Sequence, residues 1–274
     1  MAAKLIYGTA WKKQETTKLV VQAVLSGFKA IDTAAQLKHY REDLVGEALQ
    51  ELQDKHGIKR EAIFLQTKYT PIGGQDPTKP LPYNPTDPIQ EQVKSSFQTS
   101  LSNLRTTYLD SYILHSPLHT LDLTLEAWRV LIALQDEGKV HKIGLSNAYD
   151  VSLLKALEAE RQVQVVQNRW YEGNNWDRDV CKYCRDNGIQ YQSFWTLTGS
   201  PRLLAHPDLI AIKEFAECTA PQALYRIVQL AGITPLSGTT KGEHMKEDVA
   251  VEHIAFGEEL SSHLHSIRNL IGVS

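Results

Sequence analysis

Five side chains of the 274-residue sequence have types and spacing suited to proton chemistry: Asp32, His39, Tyr40, Lys68 and His115. Three of them fall within KAIDTAAQLKHYREDLVGEAL, where apolar–polar alternation gives way to helical spacing and an acid, an imidazole and a phenol collect at the junction. A tyrosine with its ordinary pKa of about 10 is a poor acid near neutrality unless a cation stabilises the phenolate. Lys68 can supply that charge, and Asp32 can balance it. A neutral imidazole at His115 can donate a hydrogen bond to a substrate oxygen and fix its direction. Asp32, Tyr40, Lys68 and His115 together therefore suit protonation of a carbonyl oxygen while hydride arrives at the carbon. No side chain supplies hydride, so a nicotinamide cofactor is required. His39 rivals Tyr40 as the donor, because an imidazolium needs no help from Lys68. Against it stand the imidazole already present at His115 and the cost of a second cation beside Lys68. Singly, each residue has a plainer reading: Asp32 as a helix cap, Lys68 as a solvated strand end, His115 as a satisfied core histidine. Only their convergence on one rim makes a site.

That convergence depends on the elements that carry them. Short alternating or apolar runs, rich in β-branched and aromatic residues, occur at KLIYGT, FKAIDT, AIFLQTKY, YLDSYILHS, VHKIGLSN, VQVVQNRW, IQYQSFW and ITPLSG, and they predict eight strands. Between them lie helical spacings: Leu44, Val45, Ala48, Leu49 and Leu52 before Gly57, then Val93, Phe97, Leu101 and Leu104, then Leu125, Trp128, Leu131 and Ile132 before Gly138. Glycine just past the last periodic residue is a helix stop. Strict alternation of strand and helix predicts a parallel sheet, and eight repeats predict its closure into an α/β barrel of the TIM (β/α)8 type, which needs about 250 residues. No linker divides the chain, so one domain over 1–274 is expected. GEELSSHLHSIRNLIG adds an amphipathic helix at the carboxyl end, and the proline-rich stretch Thr70 to Pro88 reads as a long functional or mobile loop.

In such a barrel chemistry sits where strands end on the carboxyl face. The strand ends deliver Asp32, Lys68, His115, Ser146 with Asn147, Gln167 with Asn168, Trp195 and Ser237, in chain order from the second strand to the eighth.

Composition narrows the partners. A net charge of −3 with cations scattered among acids gives no basic stripe, which argues against nucleic acid and anionic membranes. The amino end MAAKLIYGTAWKKQ has no signal-like apolar run, and no stretch of about 18 apolar residues occurs, so a cytoplasmic protein is expected. Cys181 and Cys184 sit in RDVCKYCRDNG, a helical pattern without the strand context of a thioredoxin-like site. His263 and His265 are two apart in another helical pattern and point to different faces, so no metal site is expected. G-x-G-x-x-G and P-loop motifs are absent, which disfavours Rossmann-type cofactor binding and phosphoryl transfer.

Over nearly its whole length the sequence resembles the aldo-keto reductases: GTAW, GFKAIDTA, EDLVGEAL, LQTKY, YILHSP, DEGKVHKIGLSN, VVQN and PLSGTT occur in that family's order. The resemblance implies an NAD(P)H cofactor extended across the carboxyl face of a barrel and reduction of an aldehyde or ketone, a small-molecule carbonyl substrate. It implies a catalytic tetrad of Asp32, Lys68 and His115 with Tyr40 as its fourth member. It places Thr9 and Ala10 of GTAW near the cofactor, Ser146 and Asn147 with Gln167 or Asn168 at the nicotinamide amide, and Trp195 where the family stacks a tyrosine on that ring. Thr196, Thr198 and Ser200 match the pyrophosphate loop, and Ser237, Gly238 and Thr239 open the adenosine-phosphate segment.

Two departures stand out. The family's tyrosine is normally fifth after the aspartate, a place Leu37 takes here; Tyr40 comes three places later, and counting back from Gly46 puts His39 in the slot. A Lys-His-Tyr version occurs in part of the family. The basic residue usually found before the serine is Leu236, and the arginine that grips an adenosine 2′-phosphate falls at His244, with Lys241 as a substitute. NADPH is the expected cofactor, with NADH possible and the preference smaller than a bidentate arginine gives. Trp11, Tyr69, the proline-rich loop after it and Trp170 either wall an aromatic, apolar pocket suited to a bulky carbonyl compound or pack the barrel rim. Two other function classes fit parts of the pattern: a nucleotide-holding regulatory subunit of the same fold, and a Schiff-base barrel enzyme using Lys68. Asp32 argues against the second by keeping Lys68 charged. Oligomeric state has no signature in the sequence.

Overall fold

A computed structural model describes residues 4–273, so the expected domain bounds of 1–274 reach beyond the described residues at both ends. The eight expected strands form: β1 (Ile6–Gly8), β2 (Ala30–Asp32), β3 (Phe64–Tyr69), β4 (Leu109–Leu114), β5 (Val140–Ser146), β6 (Val165–Arg169), β7 (Gln190–Phe194) and β8 (Ile233–Ser237). All neighbours pair in parallel and β1 pairs with β8, which closes the barrel.

Helices follow each strand: α1 (Thr16–Leu25), α2 (Glu42–His56), α3 (Ile89–Leu104), α4 (Leu121–Asp136), α5 (Val151–Glu158) and α6 (Arg178–Asp186). Glycine ends α2 at Gly57 (φ 68°) and follows α4 at Gly138 (φ 71°), as their spacing predicts. Between β7 and β8 lie α7 (Pro201–Leu204), α8 (Pro207–Phe215) and α9 (Ala220–Leu230). Each has proline in its first turn, where the missing N–H costs nothing. After β8 come α10 (Gly242–Ala250) and the expected extra helix, α11 (Ser261–Ile271), which packs on α8.

Strand alternation divides the side chains into two sets. Register pairs Asp32 with Gln66, Ser146 with Gln167 and Gln167 with Gln192, so these residues share the inner face. Their neighbours Ile31, Leu65, Leu145, Val166 and Tyr191 are buried against the helices. Close approach needs glycine once on this wall: a Cβ at Gly144 would lie 2.0 Å from the Val165 carbonyl oxygen. Outside, Trp128 of α4 is fully buried and its Nε1 donates to the Leu157 carbonyl of α5 at 3.2 Å. Truncating such a residue to alanine costs about 3–5 kcal/mol.

The proline-rich stretch after β3 is fastened at its start. Tyr83 is buried and its hydroxyl donates to the Thr70 carbonyl at 2.8 Å, while Gln75 Nε2 donates to the Ala35 carbonyl at 2.8 Å. It therefore packs against the loop after β2, the loop that carries Tyr40.

Candidate active site

The inner face places a charge where a barrel usually holds aliphatic side chains. Lys68 exposes no surface and Asp32 2%. Lys68 Nζ donates to Asp32 Oδ1 at 2.7 Å, to Oδ2 at 2.6 Å and to the Thr33 carbonyl at 2.8 Å. Those bonds engage all three ammonium protons. Asp32 Oδ1 also accepts from Gln66 Nε2 at 2.8 Å and Gln167 Nε2 at 3.0 Å. Gln192 closes the cluster by accepting from both glutamines, at 2.7 and 2.9 Å. Burial pulls the Lys68 pKa down and the Asp32 carboxylate opposes it.

His115 follows β4, and its Nδ1 lies 2.7 Å from the Thr70 hydroxyl. Burial, then Lys68, then His39 hold its pKa well below the ordinary imidazole value, so it is neutral at pH 7. Nε2 is the ring nitrogen without a bond among the described residues. Asn147 Nδ2 donates to the His115 carbonyl at 2.9 Å, and Asn147 Oδ1 accepts from Tyr149 at 3.3 Å. The amide of Asn147 is thus already committed to holding His115.

The Tyr40 ring lies 5.8 Å from the His115 ring, edge to face, and 5.3 Å from Lys68 Nζ. One expectation is corrected here. The Lys68 protons go to Asp32 and Thr33, and burial, followed by the Asp32 charge, pushes the Tyr40 pKa up instead of down. His39 points elsewhere: its ring stacks on Trp11 at 3.6 Å, and burial leads the causes that lower its pKa.

The other expected residues divide by the side of the wall they face. Gln167 points inward, whereas Asn168 points outward and uses its amide on both Ala148 backbone groups and on Asp177 at 2.7 Å. Tyr69, next to Lys68 on β3, must face the opposite way, and its hydroxyl donates to Gln92 of α3 at 3.1 Å. Trp170 is also fully buried, 6.3 Å from Trp176. Tyr69 and Trp170 therefore pack the barrel's outside and do not wall a pocket. Trp11 is 65% exposed at the rim.

Around the rim, Thr9 is buried and its hydroxyl donates to the Asp32 carbonyl at 2.9 Å, so it braces β2; Ala10 is half-buried. Thr196 turns inward to Ser193 at 2.8 Å, Thr198 is exposed, and the buried Ser200 hydroxyl has no partner among the described residues. Ser237 Oγ donates to Asp248 of α10 at 2.6 Å, while Gly238, Lys241 and His244 are exposed and Thr239 is half-buried. Trp195 is 49% exposed and carries the Arg169 guanidinium 4.0 Å from its ring.

Several polar residues here escaped the sequence reading. Lys12 is 8% exposed, donates to the Gly238 carbonyl and has no acidic partner among the described residues. Burial lowers its pKa. Its adjacency to GTAW was the available signal. Gln66 and Gln192 were findable from the polar positions alternating in LQTKY and IQYQSF, and Thr70 and Arg169 from their places just past Lys68 and Gln167.

A family model described as the aldo/keto reductase family matches residues 4–268. An uncharacterized oxidoreductase of Bacillus subtilis strain 168, YtbE, is 30% identical over 238 residues, covering 86% of this chain and 78% of that one. The glyoxal reductase of the same organism is 26% identical over 246 residues, 89% of this chain and 80% of its own. The crystal structure of an aldo/keto reductase from Brucella melitensis aligns with a TM-score of 0.81 at 26% identity, covering 97% of this chain and 94% of the other.

Proposed function

The chain belongs to the aldo/keto reductase family, and from that premise we propose that Tyr40, His115, Lys68 and Asp32 reduce the carbonyl group of a small aldehyde or ketone, with NADPH as the hydride source. Membership makes the protein an NAD(P)H-dependent oxidoreductase. The relative named glyoxal reductase supports small aldehydes as the substrate class.

The residues present fit a dinucleotide. Lys12 is an almost buried cation without an acid, set against Gly238 at the segment proposed for the adenosine phosphates. Lys241 and His244 would add exposed charge for a 2′-phosphate. Trp195 offers a ring at the rim, and Ser146 with Gln167 would meet the carboxamide. A bound nicotinamide supplies the hydride that reaches the carbonyl carbon.

In this reading the chain does the rest. His115, neutral and bonded through Nδ1 to Thr70, offers Nε2–H to the carbonyl oxygen. Tyr40 gives its phenolic proton to the same oxygen, and Lys68 stands beside the resulting phenolate, which then takes a proton from solvent. Asp32, fixed by Gln66 and Gln167, keeps the ammonium in place.

The observation that carries this assignment is the placement of the Tyr40 ring against both His115 and Lys68, while His39 stacks on Trp11. Tyr40→Phe removes one hydroxyl and should lower carbonyl reduction by about 100-fold or more with little change in NADPH affinity. His39→Gln should be mild. Steady-state rates with glyoxal decide between them: near-normal turnover in Tyr40→Phe sinks the mechanism, and collapse confined to His39→Gln reassigns the donor.

A further inference from the structure

Arg169 ends β6 on the inner face, two residues beyond Gln167, whose amide bonds Asp32. Its guanidinium lies 4.0 Å from the Trp195 ring and 5.8 Å from the Phe194 ring. Among the described residues the buried Nε has no hydrogen-bond partner, and no carboxylate lies within ion-pair distance of the side chain. Its backbone connects to the centre through a short chain of bonds. Arg169 N donates to Tyr149 Oη at 3.1 Å, Tyr149 donates to Asn147 at 3.3 Å, and Asn147 donates to the His115 carbonyl at 2.9 Å.

The charges around it leave this cation uncompensated. Lys68 is neutralised by Asp32 at 2.6 Å, and His115 is neutral. Two aromatic faces position the guanidinium without cancelling its charge, as cation–π contacts do. A planar guanidinium held by aromatic rings at the end of β6, with no side-chain hydrogen bond among the described residues, is the arrangement that takes a carboxylate in a charge-assisted pair.

We propose that Arg169 is a specificity-determining residue that binds the carboxylate of an acidic carbonyl substrate, an oxo acid or an aldehyde acid, while the carbonyl group lies at Tyr40 and His115. This rests on the carbonyl-reductase reading above and narrows its substrate class. A nicotinamide stacking on Trp195 uses the face that Arg169 covers, displacing the guanidinium, or the opposite face.

The test compares succinate semialdehyde and 4-carboxybenzaldehyde, each against its methyl ester, with NADPH. The unmodified protein should favour the acids by about tenfold or more in kcat/KM, the difference lying in KM. Arg169→Met keeps an apolar stem on Trp195 and should erase that acid-to-ester ratio, and Arg169→Lys should restore part of it. Each ester is the internal reference for any general loss.

An acid-to-ester ratio near one in the unmodified protein overturns the proposal, as does a ratio unchanged by Arg169→Met. A variant that weakens NADPH binding equally for acids and esters also overturns it, by giving the cation to a cofactor phosphate. Quenching of tryptophan fluorescence by benzoate supplies a readout without turnover. If no aldehyde is reduced but benzoate binds in an Arg169-dependent way, the reductase reading fails and the carboxylate site stands. If benzoate does not bind, the site fails as well.

Discussion

Asp32 and Asp177 are both buried carboxylates, one inside the barrel wall and one behind it, and the protein treats them differently. Asp32 faces an ammonium and two glutamine amides. Asp177 receives only neutral donors, Asn168 Nδ2 and the Tyr191 hydroxyl, both at 2.7 Å. Burial, aided by Asp179, pushes Asp177 up to about 6. It sits at the end of a left-handed run, Asn175, Trp176 and Asp177, with φ values of 53°, 53° and 50°. Such backbone is costly for residues with a Cβ. A charge is held permanently where a cation answers it, and where only neutral groups answer, the acid sits near its titration point. The inner wall is therefore built to keep charge at the rim, and the outer wall to hold strands to helices.

The largest effect expected from this contrast comes from removing the cation. Lys68→Met leaves Asp32 buried with amides alone and should destabilise the protein by about 3–5 kcal/mol, besides abolishing most carbonyl reduction. Asp32→Asn combined with Lys68→Met should recover much of the stability and none of the activity. Urea denaturation of the three proteins measures the first claim. A loss below about 1 kcal/mol in Lys68→Met would show that the glutamine cluster alone sustains the acid, and the contrast between the walls would collapse.

How much of this was legible in the sequence follows the same division. The eight strands could be read because alternation on each is strong, and Asp32, Lys68 and His115 because they stand at strand ends. Facing was harder. Lys68 and Tyr69 are neighbours, so only one could enter the barrel; Gln167 and Asn168 pose the same choice, and the amide type does not decide it. Trp170 is aromatic like a pocket wall, yet its ring is fully buried near Trp176. The three helices between β7 and β8 were not expected from the sequence, although Pro201, Pro207 and Pro221 stand in their first turns. Their packing was not legible either, because it depends on α11, some fifty residues away.

A second, smaller effect sharpens the comparison from the outer wall. Asp177 has a folded pKa of about 6 against an ordinary 3.8, so between about pH 4 and pH 6 the folded protein holds a proton that the unfolded chain has released. Stability must fall as pH rises through that window. Asp177→Asn can still accept from Asn168 and Tyr191, and it should remove this fall. At pH 7 it should gain on the order of 2 kcal/mol relative to its own value at pH 4, compared with the unmodified protein. Urea midpoints across pH 4 to 7 provide the measurement, and an unchanged slope would show that Asp177 does not titrate there.

The smallest effect belongs to the histidine beside Asp248, the other outer acid raised to about 6 by burial. It accepts from Ser237 at 2.6 Å, but unlike Asp177 it has a histidine, His244, one turn earlier on α10 that acts to lower its pKa. A partly exposed helical pair of this spacing contributes only a few tenths of a kcal/mol. Asp248→Asn should flatten the same pH window about as much as Asp177→Asn does, on the order of 2 kcal/mol, and the histidine sets only a fraction of that. His244→Gln should steepen it slightly in the otherwise unmodified protein, since the carboxylate then loses its cation. If His244→Gln flattened the slope instead, the histidine would be acting on some other group, and Asp248 would join Asp177 as an acid with no cation to answer it.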